Sequence, residues 1–330
     1  MSHYRPLKLG FVPLNDAAPL IAAADQGFFA AEGVEVELSR EVSWATVRDK
    51  LAVGALDGAH LLAPMALAAT LGIGSHAAPM IAPLALNMNG PVVTLSTRLA
   101  ALAGPGPEAT GLSGLVARRR EEGASPLTFA VVYPYSAHNY LLRAWMAEAG
   151  IDPDRDVRLT VVPPPRMAEL LAGGVIEGFC AGEPWSAAAV AAGAGQVVLR
   201  APQWRPATPD KVFGVTAAWA VRRPADLLAI LRALRRAGAW CEAPANRAAL
   251  VDMLAQPGRL DVAAGQIAAG LTEIIFPRDG LSAPRPDDAI WLLKQMIRWG
   301  HAPGGLDAAA VAARVYRPDL YAAAQPAPDA

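Results

Sequence analysis

The sequence predicts an α/β protein of two lobes, and three observations carry that expectation. A strand, helix, strand series opens the chain, and a second such series follows in its middle third. An eight-residue pattern, LAVGALDG at 51–58, returns as LAGGVIEG at 171–178, 120 residues on. After KVFGVTAAWAV, long helical patterns run without a further strand-helix series, as expected of a chain returning to finish its first lobe. A length of 330 residues suffices for two such cores without disulfides or a structural metal.

Taken in order, LKLGFVPL alternates at a period near two and predicts a strand, APLIAAADQGFFAAEG predicts a helix closed by glycine, and VEVELSR predicts the next strand. Ser43 is the expected N-cap of SWATVRDKLA, which places Trp44, Val47 and Leu51 on one helical side and Gly54 at the exit. LALNMNGPVVTLS predicts an extended crossing, and the Gly/Pro-rich AGPGPEATGLSG a loop. The second series is PLTFAVVYP, then SAHNYLLRAWMAEAG with Ser136 as its cap, then VRLTVVPPP. In both copies of the eight-residue pattern a helix ends at glycine, and an apolar pair, an acid (Asp57 or Glu177) and a second glycine follow. The expected boundaries are 1–95 for the first part of lobe 1, 96–212 for lobe 2, 213–322 for the return to lobe 1, and 323–330 for a flexible tail. Crossings at Val92–Ser96 and 213–216 would leave a ligand cleft between the lobes.

Lys and Arg number 29 against 30 Asp and Glu, a net charge of -1, which removes the bulk attraction expected of a nucleic-acid binder. RRREE at 118–122 carries its own compensating acids and reads as a solvated helix. The most apolar region, near residues 61–86, is broken by Pro64, Pro79 and Pro83, so no membrane insertion is expected. Two cysteines, Cys180 and Cys241, suit a reduced compartment. A strand beginning at Leu7 leaves no room for an export signal, and the expected localisation is cytoplasmic.

Neither a metal-ligand spacing nor a phosphate-loop motif occurs, so no cofactor, metal or catalytic residue is expected. The candidate ligand-binding residues are Trp44, Asn89, His138, Gly182 and Lys211. Trp44 stands at a helix start and could wall a planar ligand; Asn89 could supply a neutral donor; and His138 stands at another helix start. Gly182 would let backbone N–H approach closely, and Lys211 would bring charge for a small anion. His60, Asn87 and Glu183 are expected behind them, with Asx turns and core packing as competing roles. A cation at Lys211 suits an anion with no proton to donate, whereas Asp210 and Glu183 could accept the O–H of an anion that carries one.

The ordered landmarks from PLNDAAPLIAAADQGFF through SWATVRDKLAVGALDGAHLLAPM, LALNMNG, GGVIEGFCAGEPW and DKVFGVTAAW resemble the NrtA/CmpA-type nitrate/bicarbonate-binding family over about residues 7–299. The resemblance implies a type II periplasmic-binding-protein-like fold, with Trp44 at the ligand wall, Asn89 at a polar position, Gly182 at a close-backbone position and Lys211 at the cationic position. Asn89 is shorter than the glutamine of some transport members. With the missing export signal, the chain looks most similar to cytoplasmic nitrate/nitrite sensors of the NasS type. That likeness implies a NasT-type RNA-binding antiterminator as partner, released when nitrate or nitrite binds. The alternatives are the substrate-binding component of a nitrate or bicarbonate ABC transporter, and a biosynthetic enzyme on the same fold using His60, His138 and Cys180.

Overall fold

Strands and helices follow the hydrophobic periods of the chain. The computed structural model describes residues 5–104, 110–276 and 281–324. Its strands are β1 (Leu7–Phe11), β2 (Val36–Arg40), β3 (Gly58–Leu62), β4 (Met80–Asn89), β5 (Val92–Ser96), β6 (Thr128–Val131), β7 (Arg158–Val161), β8 (Gly178–Ala181), β9 (Gly195–Arg200), β10 (Pro209–Thr216) and β11 (Ile274–Ile275). Two α/β units result: Met1–Met88, Pro209–Asp261 and Ile275–Ala330 form unit 1, and Asn89–Thr208 with Val262–Ile274 form unit 2.

In unit 1 the sheet order is β11-β4-β10-β3-β1-β2. β1 is parallel to β2 and β3, which requires helical crossovers such as Ala18–Asp25, and β10 runs antiparallel to both β3 and β4. β3 and β4 are buried along their whole length, as strands covered on both faces must be. Unit 2 repeats the plan in the order β7-β6-β8-β5-β9: β6 is parallel to β7 and β8, and β5 runs antiparallel to β8 and β9. Its core gathers Phe129, Leu141, Leu142, Trp145 and Cys180 around Leu95 and Leu99.

The eight-residue pattern marks one structural device used in both units. The helices Trp44–Ala52 and Met167–Ala172 end before Gly54 and Gly174, both left-handed at φ 74° and 67°. The acid that follows then locks the neighbouring parallel strand. Asp57 donates its N–H to the Lys8 carbonyl and its Oδ2 accepts from Lys8 N–H at 2.8 Å, while Glu177 does the same with Thr128, accepting at 2.7 Å. The second glycine packs tightly: a Cβ on Gly58 would meet Phe213 at 2.6 Å, and one on Gly178 would meet Leu95 at 2.7 Å. Ser43 and Ser136 cap their helices as expected, each side-chain oxygen accepting a backbone N–H three residues on.

The structure differs from the expected organisation in four places. The chain changes unit at 88/89 and 208/209 and not at 95/96 and 212/213, because β5 pairs with β8 and β9 while all of β10 pairs in unit 1. It visits unit 2 a second time at Val262–Ile274, with the short helix Ala264–Gly270. The GLSG end of the Gly/Pro-rich stretch is helical within Thr110–Glu121, and residues 105–109 lie outside the described residues. Of the expected tail, Ala323 closes the helix Pro318–Ala323, Ala324 is buried, and 325–330 lie outside the described residues. No helix among the described residues is long and apolar enough to cross a membrane.

Candidate functional site

Five elements of unit 1 converge on a buried polar cluster. Past β1 the chain turns through the short helix Asn15–Ala17, which sinks Asp16. β3 supplies His60, β4 supplies Asn87, β10 supplies Asp210 and Lys211, and Trp44 begins the helix capped by Ser43. Consecutive residues of a regular strand point to opposite faces, yet the Lys211 ammonium contacts the Asp210 carboxylate. The register of β10 against β4 shifts on either side of Lys211, and this irregularity accommodates the pair.

Lys211 Nζ is the centre of the cluster. It donates to Asp16 Oδ2 at 2.7 Å and to Asp210 Oδ2 at 2.6 Å, with all three side chains 0% exposed. His60 Nε2 stands 2.8 Å from Asp16 Oδ1. Asn87 ties β4 to β10, accepting the Lys211 N–H at 3.1 Å and donating to Asp210 Oδ2 at 3.4 Å. The Trp44 ring lies 5.1 Å from that of His60 and 5.6 Å from Lys211 Nζ. Among the described residues, Trp44 Nε1 and His60 Nδ1 are buried and have no hydrogen-bond partner. An orphan indole N–H beside a buried ammonium is the arrangement that an acceptor with negative charge would satisfy.

The charges in this cluster follow from burial and proximity. Burial works to raise the Asp16 carboxyl, but Lys211 and His60 outweigh it and hold it below the usual carboxylate range. Burial also raises Asp210, and Asp16 adds to that, so the pull of Lys211 leaves it at about 6. Lys211 is raised, since its two carboxylates overcome the cost of burial. Burial lowers His60 against the attraction of Asp16, which keeps the ring neutral at pH 7. Above pH 6 the ammonium is therefore met by two carboxylates, and the cluster carries one net negative charge.

The structure brings together four of the expected positions, Trp44, His60, Asn87 and Lys211. Asn89, His138, Gly182 and Glu183 belong to unit 2. Asn89, at φ 62°, joins the first and last residues of the long unit 2 segment: its N–H donates to the Thr208 carbonyl at 2.7 Å and its Oδ1 accepts from Thr208 N–H at 3.2 Å. His138 is buried near the start of helix Ala137–Glu148, and Gly182 is buried between β8 and helix Trp185–Ala191. Glu183 accepts from Ala187 N–H at 3.0 Å, and burial pushes its carboxyl up to about 7. Asp16 was not among the expected positions; its signal is the polar pair Asn15-Asp16 interrupting an otherwise apolar run from Phe11 to Ala24. A groove of about 650 Å³ in unit 1, lined by Leu51, Val53, Pro79 and Trp219 among others, shares no residue with this cluster. Among the described residues no group of three or more His, Cys, Asp and Glu could hold a metal ion.

Residues 2–255 match the NMT1-like family. The chain is 35% identical to the nitrate import ATP-binding protein NrtC of Synechocystis sp., over 96% of this chain and 49% of that protein. It is 34% identical to the bicarbonate transport ATP-binding protein CmpC of the same organism, over 96% of this chain and 49% of that one. The chain thus spans about half the length of these relatives. The crystal structure of the periplasmic nitrate-binding protein NrtA from Synechocystis PCC 6803 superposes with a TM-score of 0.92 at 31% identity, covering 98% of this chain and 88% of that one.

These findings correct the expectation of a NasS-type sensor. The relatives matched are nitrate and bicarbonate transport and binding proteins, one of them periplasmic, so the cytoplasmic localisation and the NasT-type antiterminator partner are both overturned. The cytoplasmic expectation rested on where the first strand begins, and that position says nothing of a protein's address. The solved neighbour NrtA is a binding protein, which favours a solute-binding role over the biosynthetic-enzyme alternative. The two α/β units of this chain have the type II periplasmic-binding-protein-like fold of NrtA, and the chain belongs to the NMT1-like family.

Proposed function

We propose that this chain is the substrate-binding component of an ABC importer, acting outside the cytoplasmic membrane, and that its ligand is a small planar monoanion, nitrate or bicarbonate. The observation that carries this reading is the Trp44 indole N–H, buried without an acceptor and 5.6 Å, measured from the ring, from the ammonium of Lys211. An oxyanion accepting from Nε1 gains a charge-assisted hydrogen bond in a site shielded from water. Trp44 and Lys211 are the proposed ligand contacts. Asn87 fixes the backbone at Lys211, and His60 holds Asp16 and backs the Trp44 ring. The names of NrtC, CmpC and NrtA support the choice of anions. Calorimetric titration of anion-free protein with nitrate, bicarbonate and sulfate tests the reading. Saturable binding of nitrate or bicarbonate, with sulfate inert, is expected; binding of neither monoanion refutes it.

A further inference from the structure

The cluster around Lys211 holds one more carboxylate than it needs for neutrality. Asp16, from the turn after β1, and Asp210, from β10, both contact the ammonium, and all three groups are withdrawn from solvent. The other groups facing them are His60 from β3, which lies against Asp16, and the uncharged Asn87 and Trp44. A monoanion at the Trp44 N–H would add a second net negative charge within a few ångströms, where water screens poorly.

We propose that monoanion binding at this site is coupled to the uptake of one proton from solvent by Asp210. The proposal rests on the anion-binding reading above. The proton becomes the O–H of the Asp210 carboxyl, so the net charge of the cluster and its ligand is the same as that of the free cluster. Asp210 is the acceptor because, beside the ammonium that both acids share, its carboxamide donor stands farther off than the imidazole that meets Asp16. Asp16 is met by both Lys211, at 2.7 Å, and His60, at 2.8 Å, whereas Asp210 has Lys211 and a neutral carboxamide at 3.4 Å. Burial already holds the Asp210 carboxyl at about 6, and an anion within a few ångströms, where water screens poorly, raises it well above that, so that the proton stays above neutral pH. Once protonated, Asp210 no longer competes for the ammonium, and Lys211 has more of its charge to offer the ligand.

Linkage sets the sign. Above about pH 6 the free protein must take up the proton on binding, so affinity falls by about tenfold per pH unit, until pH passes the carboxyl's value in the complex; below about pH 6 affinity is flat. The test is calorimetric titration with sodium nitrate and with sodium bicarbonate at pH 8, in phosphate and in Tris, whose different ionisation heats count protons. The heat of bicarbonate's own titration is subtracted. Wild type is expected to take up about one proton per anion bound and to bind about tenfold more weakly at pH 8 than at pH 7. Asp210→Asn, which imitates the protonated acid, is expected to bind with no uptake and at constant affinity over that range. Binding to wild type without proton uptake overturns the coupling and leaves the anion reading intact. Uptake that persists in Asp210→Asn overturns the assignment to Asp210. Binding of neither anion by wild type refutes the anion reading and the coupling with it.

Discussion

Replacing Asp210 by Asn should stabilise the anion-free protein at neutral pH, although it removes one partner of a buried ion pair. Two effects compete. Breaking a buried pair usually costs about 3–5 kcal/mol because the remaining charge is left alone. Here Lys211 keeps Asp16 at 2.7 Å, so no charge is stranded. Against that, the Asp210 carboxyl lies at about 6 in the fold against a usual 3.8, so its ionised form is disfavoured there even with Lys211 beside it. An acid raised in the native state binds more protons when folded than when unfolded between those two values. Stability therefore falls as pH rises from about 4 to about 6, and the loss persists above, reaching about 3 kcal/mol at pH 7.5. The variant lacks this loss and keeps the shape of the neutral acid. Urea unfolding of both proteins at pH 4 and pH 7.5, in buffer free of oxyanions, measures the difference. A gain of about 2–3 kcal/mol at pH 7.5 that shrinks towards zero at pH 4 is expected. A variant less stable than wild type at pH 7.5, or a gain equal at both pH values, would refute the account of the cluster's charge.

Two further perturbations read the same structure. Lys211→Met removes the cation that contacts both Asp16 and Asp210, so it should cost about 3–5 kcal/mol at pH 8. The loss should narrow on acidification, because both carboxyls then titrate higher and can be neutralised in the fold; unfolding at pH 4.5 and pH 8 checks this. Asp57→Ala and Glu177→Ala remove the strand locks of the two units and should each cost about 1–3 kcal/mol. Asp57→Ala should cost more, since Asp57 also accepts from Trp219 Nε1 at 3.0 Å and pairs with Arg5, and an equal or larger loss for Glu177→Ala in urea would contradict the assignment.

The legible part of the fold is that governed by local rules. Period-two and helical patterns mark the two strand-helix series, Ser43 and Ser136 mark helix starts, and the recurrence of LAVGALDG as LAGGVIEG marks a device whose acid and glycines have the same jobs in both units. What the pattern does not carry is pairing. β5 reads as a crossing because extended chain looks alike whether it connects units or pairs within one, and only its antiparallel partners β8 and β9 assign it to unit 2. The helix Ala264–Gly270 is one short apolar run among several and has no local mark of the unit it packs in. The same holds in the site. Lys211 and Trp44 stand out as a cation beside a strand and an aromatic at a helix start, but the acids that meet Lys211 do not. Asp16 lies 195 residues away in sequence, and Asp210 is expected on the opposite face of a regular strand until the register shift of β10 is seen.

The central claim is that the Trp44 N–H receives the ligand, and the most direct measurement is the resonance of that proton. The protein has 8 tryptophans, and in protein labelled with ¹⁵N at the indole nitrogens the signal missing from Trp44→Phe identifies Trp44. On titration with nitrate, and separately with bicarbonate, that resonance is expected to move downfield along the binding isotherm measured by calorimetry, as an N–H that gains a charged acceptor does. Anion binding detected by heat while the Trp44 resonance stays unmoved at saturation would contradict the claim and place the ligand elsewhere.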